Sequence, residues 1–153
     1  LISFDSPLPK RIVEITKITD DMLLNKPNIT QTLNSFVNFI RDEKEPNKKV
    51  FMVGHNSNSF DMPFLKAQCA KHNIKFPNVL SLDTMRMSQY ILTDQYSHSL
   101  ASLCNLFGIS NQNAHRAMSD VNVTMMIFDN LSMMYKQKHK KCSINHLYYT
   151  TSF

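Results

Sequence analysis

An α/β fold is what this sequence predicts, and three observations predict it. Two short apolar runs, Val50-Phe51-Met52-Val53 and Val79 to Leu82, have the length and near-continuous hydrophobicity of strands buried on both faces of a parallel sheet. Stretches with helical spacing lie between and after them, giving the order strand, helix, strand, helix. Turn and cap residues stand at the junctions, Gly54 after the first run and Asp83-Thr84 after the second.

Taken in order, Leu1 to Ile15 alternate weakly and contain Pro7 and Pro9, which predicts an extended segment or an edge strand. Thr19 or Asp20 caps a short helix that Pro27 ends. Thr30 is the next cap, and Leu33, Phe36, Val37 and Ile40 fall at i, i+3, i+4 and i+7, predicting an amphipathic helix over 31–41. Glu43 to Lys49 is a charged loop before the first strand. Gly54-His55-Asn56 turns the chain out of the sheet into a helix over 59–73, where Pro63 is tolerated in the first turn. The second strand is followed by a helix over 85–91 and another over 97–107, stopped by Gly108. A long helix over 116–138 is expected to turn Ala117, Val121, Met125, Phe128 and Leu131 toward the core, with Met118, Met126, Met133 and Met134 as further filling. No role is readable for the tail after Lys141.

The 153 residues are enough for one sizeable core, and the apolar and charged fractions are those of a globular chain. No apolar run approaches the roughly 20 residues that span a bilayer, so no membrane role is expected. Three widely spaced cysteines, Cys69, Cys104 and Cys142, suit a reducing intracellular compartment, cytoplasm or nucleus, better than a disulfide framework. Cys69-x2-His72 and Cys142-x3-His146 pair on paper into a zinc site, but the first lies at an ordinary helix end and the second in a tail. The net charge of +5, with Lys136, Lys138, Lys140 and Lys141 together, fits a polyanionic partner or a solvated helix end equally well.

Two acidic residues occupy positions from which chemistry is built. Asp61 lies just beyond a strand's carboxyl end at a helix start, where ligand sites form in open α/β sheets. Asp120 lies on the long helix, about one and a half turns after His115 at the loop-to-helix junction. A movable base beside a fixed anionic ligand is what metal-assisted hydrolysis requires.

The ordered series G-H-N-S-N-S-F-D-M-P-F-L (Gly54 to Leu65), S-L-D-T, S-L-A-S-L-C-N-L-F-G-I and H-R-A-M-S-D (His115 to Asp120) resembles the DEDDh family of 3′-to-5′ exonucleases. The spacing within H-N-S-N-S-F-D, and Pro63 after it, are most similar to the three-prime repair exonucleases. I-T-K-I-T-D-D-M-L resembles the segment before that family's first helices, with Lys17 where glycine is usual.

The resemblance implies a ribonuclease H-like mixed sheet flanked by helices, with the exonuclease-like domain over residues 1–135 and a basic helix end and tail over 136–153. Asp61 and Asp120 would be metal ligands, His115 the general base, and His55, Asn56 and Phe60 substrate contacts. Two Mg²⁺ or Mn²⁺ ions roughly 4 Å apart would serve the reaction. Oxygen ligands favour these ions over zinc. The substrate would be a single-stranded or frayed DNA 3′ end, or RNA, released as nucleoside monophosphates; a homodimer is left open.

One part of the family pattern is missing. No Asp-x-Glu occurs in the sequence, and Phe4-Asp5 is followed by Pro7 where the glutamate should stand. Asp5 is read as a turn residue, and Glu14 has no partner at the right spacing. The opening strands are therefore expected to be absent, as in a fragment of a longer protein. The alternative is a catalytically inactive nucleic-acid-binding or interaction module that keeps the fold.

Overall fold

The computed structural model describes residues 1–42, 48–111, 117–139 and 143–152. Its elements run α1 (Lys10–Thr16), α2 (Asp20–Leu23), α3 (Ile29–Asp42), β1 (Phe51–Gly54), α4 (Asp61–Lys71), β2 (Leu80–Asp83), α5 (Thr84–Ile91), α6 (Leu100–Phe107), α7 (Ala117–Lys138) and α8 (Ile144–Thr151). The chain divides into two compact units, Leu1–Val50 with Lys66–Asn78, and Phe51–Leu65 with Val79–Phe153.

In the first unit the opening segment is not wholly extended, because Lys10–Thr16 forms α1. Pro9 stands just before it, where the missing N–H leaves no helical bond unmade. Lys17, at φ 57°, closes it in the left-handed region. α3 is the expected amphipathic helix, with Leu33, Val37 and Ile40 buried. Its cap is Asn28 rather than Thr30. The Gln31 N–H donates to Asn28 Oδ1 and the Asn28 N–H donates to Gln31 Oε1, both at 2.9 Å, so two donors are satisfied reciprocally. Thr30 instead bonds His72 Nδ1 at 2.9 Å, and Arg41 Nη2 donates to the Lys75 carbonyl at 3.1 Å. Cys69 is fully buried, and burial pushes its thiol pKa up. With the thiol packed and His72 engaged by Thr30, this pair serves packing rather than zinc.

In the second unit β1 and β2 pair in parallel, from Phe51 opposite Leu80 to Gly54 opposite Asp83. That register sets Gly54 and Asp83 side by side at the carboxyl ends of the strands. Asp83 caps α5 by accepting from the Met85 N–H. Ser99 caps α6, and Gly108 ends it at φ 65°.

The core of this unit joins Leu82, Met87, Leu103, Cys104, Val123, Ile127, Leu131, Tyr135 and Leu147. α7 therefore buries a different stripe from the one expected: Val123, Thr124, Ile127, Leu131 and Tyr135 point inward. Leu131 is in both readings, but Val121 and Met125 are each 57% exposed, and Met118, Met126, Met133 and Met134 are exposed too. The helix carries two apolar stripes, and periodicity alone does not say which meets the core. The tail holds α8, whose Leu147 is buried and whose Thr150 Oγ1 lies 3.0 Å from Tyr135 Oη.

Candidate active site

The site begins where β1 ends. An added Cβ at Gly54 would lie 2.5 Å from Ser57 Cβ and 2.9 Å from Ser57 Oγ, so the loop folds back onto the strand only because residue 54 has no side chain. Ser57 is buried and has little room to yield. Gly54→Ala is expected to cost about 1–3 kcal/mol through overpacking. Thermal denaturation checks this, with Gly54→Ala/Ser57→Gly recovering most of the loss. Asn56 follows at φ 57°, a left-handed position that asparagine tolerates well.

His55 is half-buried, with Nδ1 3.0 Å from Thr84 Oγ1. Thr84 Oγ1 also lies 3.2 Å from the Gly54 carbonyl, to which it donates. Burial lowers the His55 pKa, opposed by the Asp83 charge and the His98 backbone, so the ring is neutral near pH 7. The unfolded chain therefore binds a proton that the folded one refuses. Stability is fully present above about pH 6.5, the ordinary histidine value, and falls as pH drops from there toward the lower folded value. The melting temperature is expected to fall between pH 7.5 and pH 5.5, by less in His55→Gln than in the natural sequence.

Asp61 is the first residue of α4 and is exposed; Asp120 lies in the first turn of α7. Each carboxylate thus sits where the helix dipole favours negative charge. Both line one cavity of about 890 Å³, whose apolar wall includes Met52, Val53, Val121, Met125 and Phe128. Of the expected metal ligands, then, both face the same space. The stripe of α7 that helical periodicity turns toward the core, Ala117, Val121, Met125 and Phe128, forms part of this wall. His55 lines the cavity as well. Phe60 is 67% exposed and lies parallel to Phe64, with ring centroids 6.1 Å apart and planes within 6°. Asn56 is exposed at the loop, and His115 lies outside the described residues.

Asn111 Nδ2 donates to Asp120 Oδ1 at 3.4 Å, and Ser119 Oγ donates to Asn111 Oδ1 at 3.1 Å. These amide and hydroxyl contacts orient the carboxylate without adding positive charge. Asp129 also lines the cavity, although no motif along the chain singles it out. It stands about two and a half turns beyond Asp120, which places the two on opposite shoulders of the α7 stripe. Among the described residues no group of three or more His, Cys, Asp or Glu side chains could hold a metal ion. The donors that do face the cavity are hard carboxylate oxygens, right in kind for Mg²⁺ or Mn²⁺ and too few to neutralise two such ions.

The sequence profile of the family described as Exonuclease (RNase_T) matches residues 1–128. The chain belongs to this exonuclease family. Its relatives include the DNA polymerase III PolC-type protein of Mycoplasma genitalium, 33% identical over 148 residues, covering 95% of this chain and 9% of that protein. Another is the DNA polymerase III subunit epsilon of Treponema pallidum, 32% identical over 151 residues, covering 95% of this chain and 65% of that one. The chain thus spans between 9% and 65% of the length of these two curated relatives. A solved structure titled exonuclease X in complex with 5′ overhanging duplex DNA superposes with a TM-score of 0.61 at 18% identity, covering 93% of this chain and 74% of that one. That likeness is one of fold, and the fold is the ribonuclease H-like α/β fold of DEDDh exonucleases. No helix among the described residues is long and apolar enough to cross a membrane.

Proposed function

We propose that this chain is the exonuclease domain, over residues 1–135, of an enzyme that removes nucleotides from the 3′ end of a DNA strand with the help of divalent metal ions. The observation that carries the reading is that Asp61 and Asp120, from two different helices, line one cavity in a chain of the exonuclease family. The same kinship supports DNA as the substrate. The two relatives described above carry the names DNA polymerase III PolC-type and DNA polymerase III subunit epsilon, and exonuclease X was solved with DNA.

Asp61 and Asp120 would hold Mg²⁺ or Mn²⁺, which supplies a Lewis acid for the phosphodiester and lowers the pKa of an attacking water. His115, just ahead of α7, would take the proton from that water, the general-base role that histidine fills most often. Asn56 and His55 would contact the terminal nucleotide. The exposed face of Phe60 would stack on a base, a contact that tolerates any base identity. An Asp-x-Glu pair has to come from outside these 153 residues to complete the ligand set, since the sequence holds none.

That missing pair favours a second reading, a catalytically inactive module that binds nucleic acid through the same surface. The two separate in one experiment: the gene product that contains this chain is incubated with a uniformly labelled single-stranded oligonucleotide and Mg²⁺. Stepwise release of nucleoside monophosphates, abolished by chelation, supports the enzyme. Binding without cleavage, weakened by salt and indifferent to Mg²⁺, supports the module.

A further inference from the structure

We infer that Asp83, at the end of β2, is the positioning residue for the loop that delivers Asp61 to the cavity. Its side chain is only 3% exposed, and an isolated buried carboxylate is costly unless its lone pairs are satisfied. Here they are satisfied by backbone. Oδ1 accepts the N–H of Asn56 at 2.9 Å and of Met85 at 3.0 Å, and Oδ2 accepts the N–H of Asn58 at 3.1 Å.

One of these three bonds is the ordinary cap of α5. The other two reach across the parallel pair to the loop after β1, possible because the register sets Gly54 beside Asp83. The loop passes the constraint on, since the Ser57 carbonyl accepts the Met62 N–H at 2.9 Å in the first turn of α4. Asp61 immediately precedes Met62, and Met62 is buried. Hydrogen bonds to Asn56 and Asn58 thus hold the backbone on either side of Ser57, and the Ser57 carbonyl in turn holds the start of the helix that carries Asp61. Thr84, the next residue, bonds His55 and the Gly54 carbonyl, so the loop is gripped by two consecutive side chains.

The inference rests on the metal-site reading for what Asp83 achieves, though not for what it holds. Its test separates the latch from the helix cap. Asp83→Ser keeps a good N-cap for α5 but is too short to reach Asn56 and Asn58. Asp83→Asn keeps one oxygen for Asn56 and Met85 and turns an amide N–H toward Asn58.

Amide hydrogen exchange by NMR on the natural chain and both variants reads the latch directly. In Asp83→Ser, exchange at Asn56, Asn58 and Met62 is expected to rise about tenfold or more, while the α7 amides of Ile127 and Leu131 keep their protection. In Asp83→Asn the rise should be largest at Asn58. Mn²⁺ affinity at the cavity should fall about tenfold in Asp83→Ser. Unchanged exchange at Met62, or exchange that rises equally in α7, overturns the positioning role, as does unchanged Mn²⁺ affinity beside a freed loop. If the natural chain binds no Mn²⁺ at all, the metal reading falls, and exchange at Met62 alone decides whether Asp83 positions the loop.

Discussion

Asp120→Asn is expected to lower turnover of the gene product that contains this chain by about 10²–10³-fold, with little change in its thermal stability. The carboxylate lies at the cavity wall, in the first turn of α7, and its recorded partner is the neutral amide of Asn111. Asparagine keeps that contact and the packing but removes the negative charge that would face a cation, so the loss falls on charge stabilisation in the transition state. His115→Ala should cost about 10²–10⁴-fold, the usual range for removing a general base. The two losses should be far from additive if both residues act on the same water. Single-turnover cleavage of a labelled oligonucleotide separates these effects from substrate binding. Turnover that survives both substitutions would mean that neither residue has the role assigned to it.

Leu131→Ala is expected to destabilise the fold by about 2–5 kcal/mol, the range for deleting a buried leucine from a packed core. Leu131 is fully buried among Met87, Leu103, Ile127, Tyr135 and Leu147, which come from four helices. Met125→Ala, on the cavity-facing stripe of the same helix, should stay within about 0.5 kcal/mol because that side chain is 57% exposed. Urea denaturation of the two variants tests which stripe of α7 holds the fold. Equal losses would contradict the burial pattern described above.

The parts of the fold legible in the sequence were those where one local signal acts alone. Both strands, the cap of α5 by Asp83 and the stop of α6 at Gly108 rest on short-range chemistry and occur where expected. The departures occur where two signals compete. Lys10–Thr16 alternates weakly enough to suit strand or helix, and takes up helix. Asn28 and Thr30 are both good caps, and the reciprocal bond with Gln31 decides for Asn28. α7 has two apolar stripes, and only the packing of α5 and α6 against it selects one.

The candidate site was legible in part for the same reason. Asp61 and Asp120 stand in motifs whose positions at helix starts can be read along the chain, and they line one cavity. Asp83 is legible in the sequence as a helix cap and as part of the S-L-D-T motif, but its bonds to Asn56 and Asn58 are not, because they depend on the strand register rather than on nearby sequence.

Methionine methyl NMR with Mn²⁺ tests whether Asp61 and Asp120 form one cation site. Met52, Met62 and Met125 line the same cavity as the two carboxylates. Met133 lies about 20 Å along α7 from Asp120 and serves as an internal control. Selective broadening of Met52, Met62 and Met125, lost in both Asp61→Asn and Asp120→Asn, is the predicted result. Broadening that is uniform across the methionines, or that persists in both variants, would contradict it.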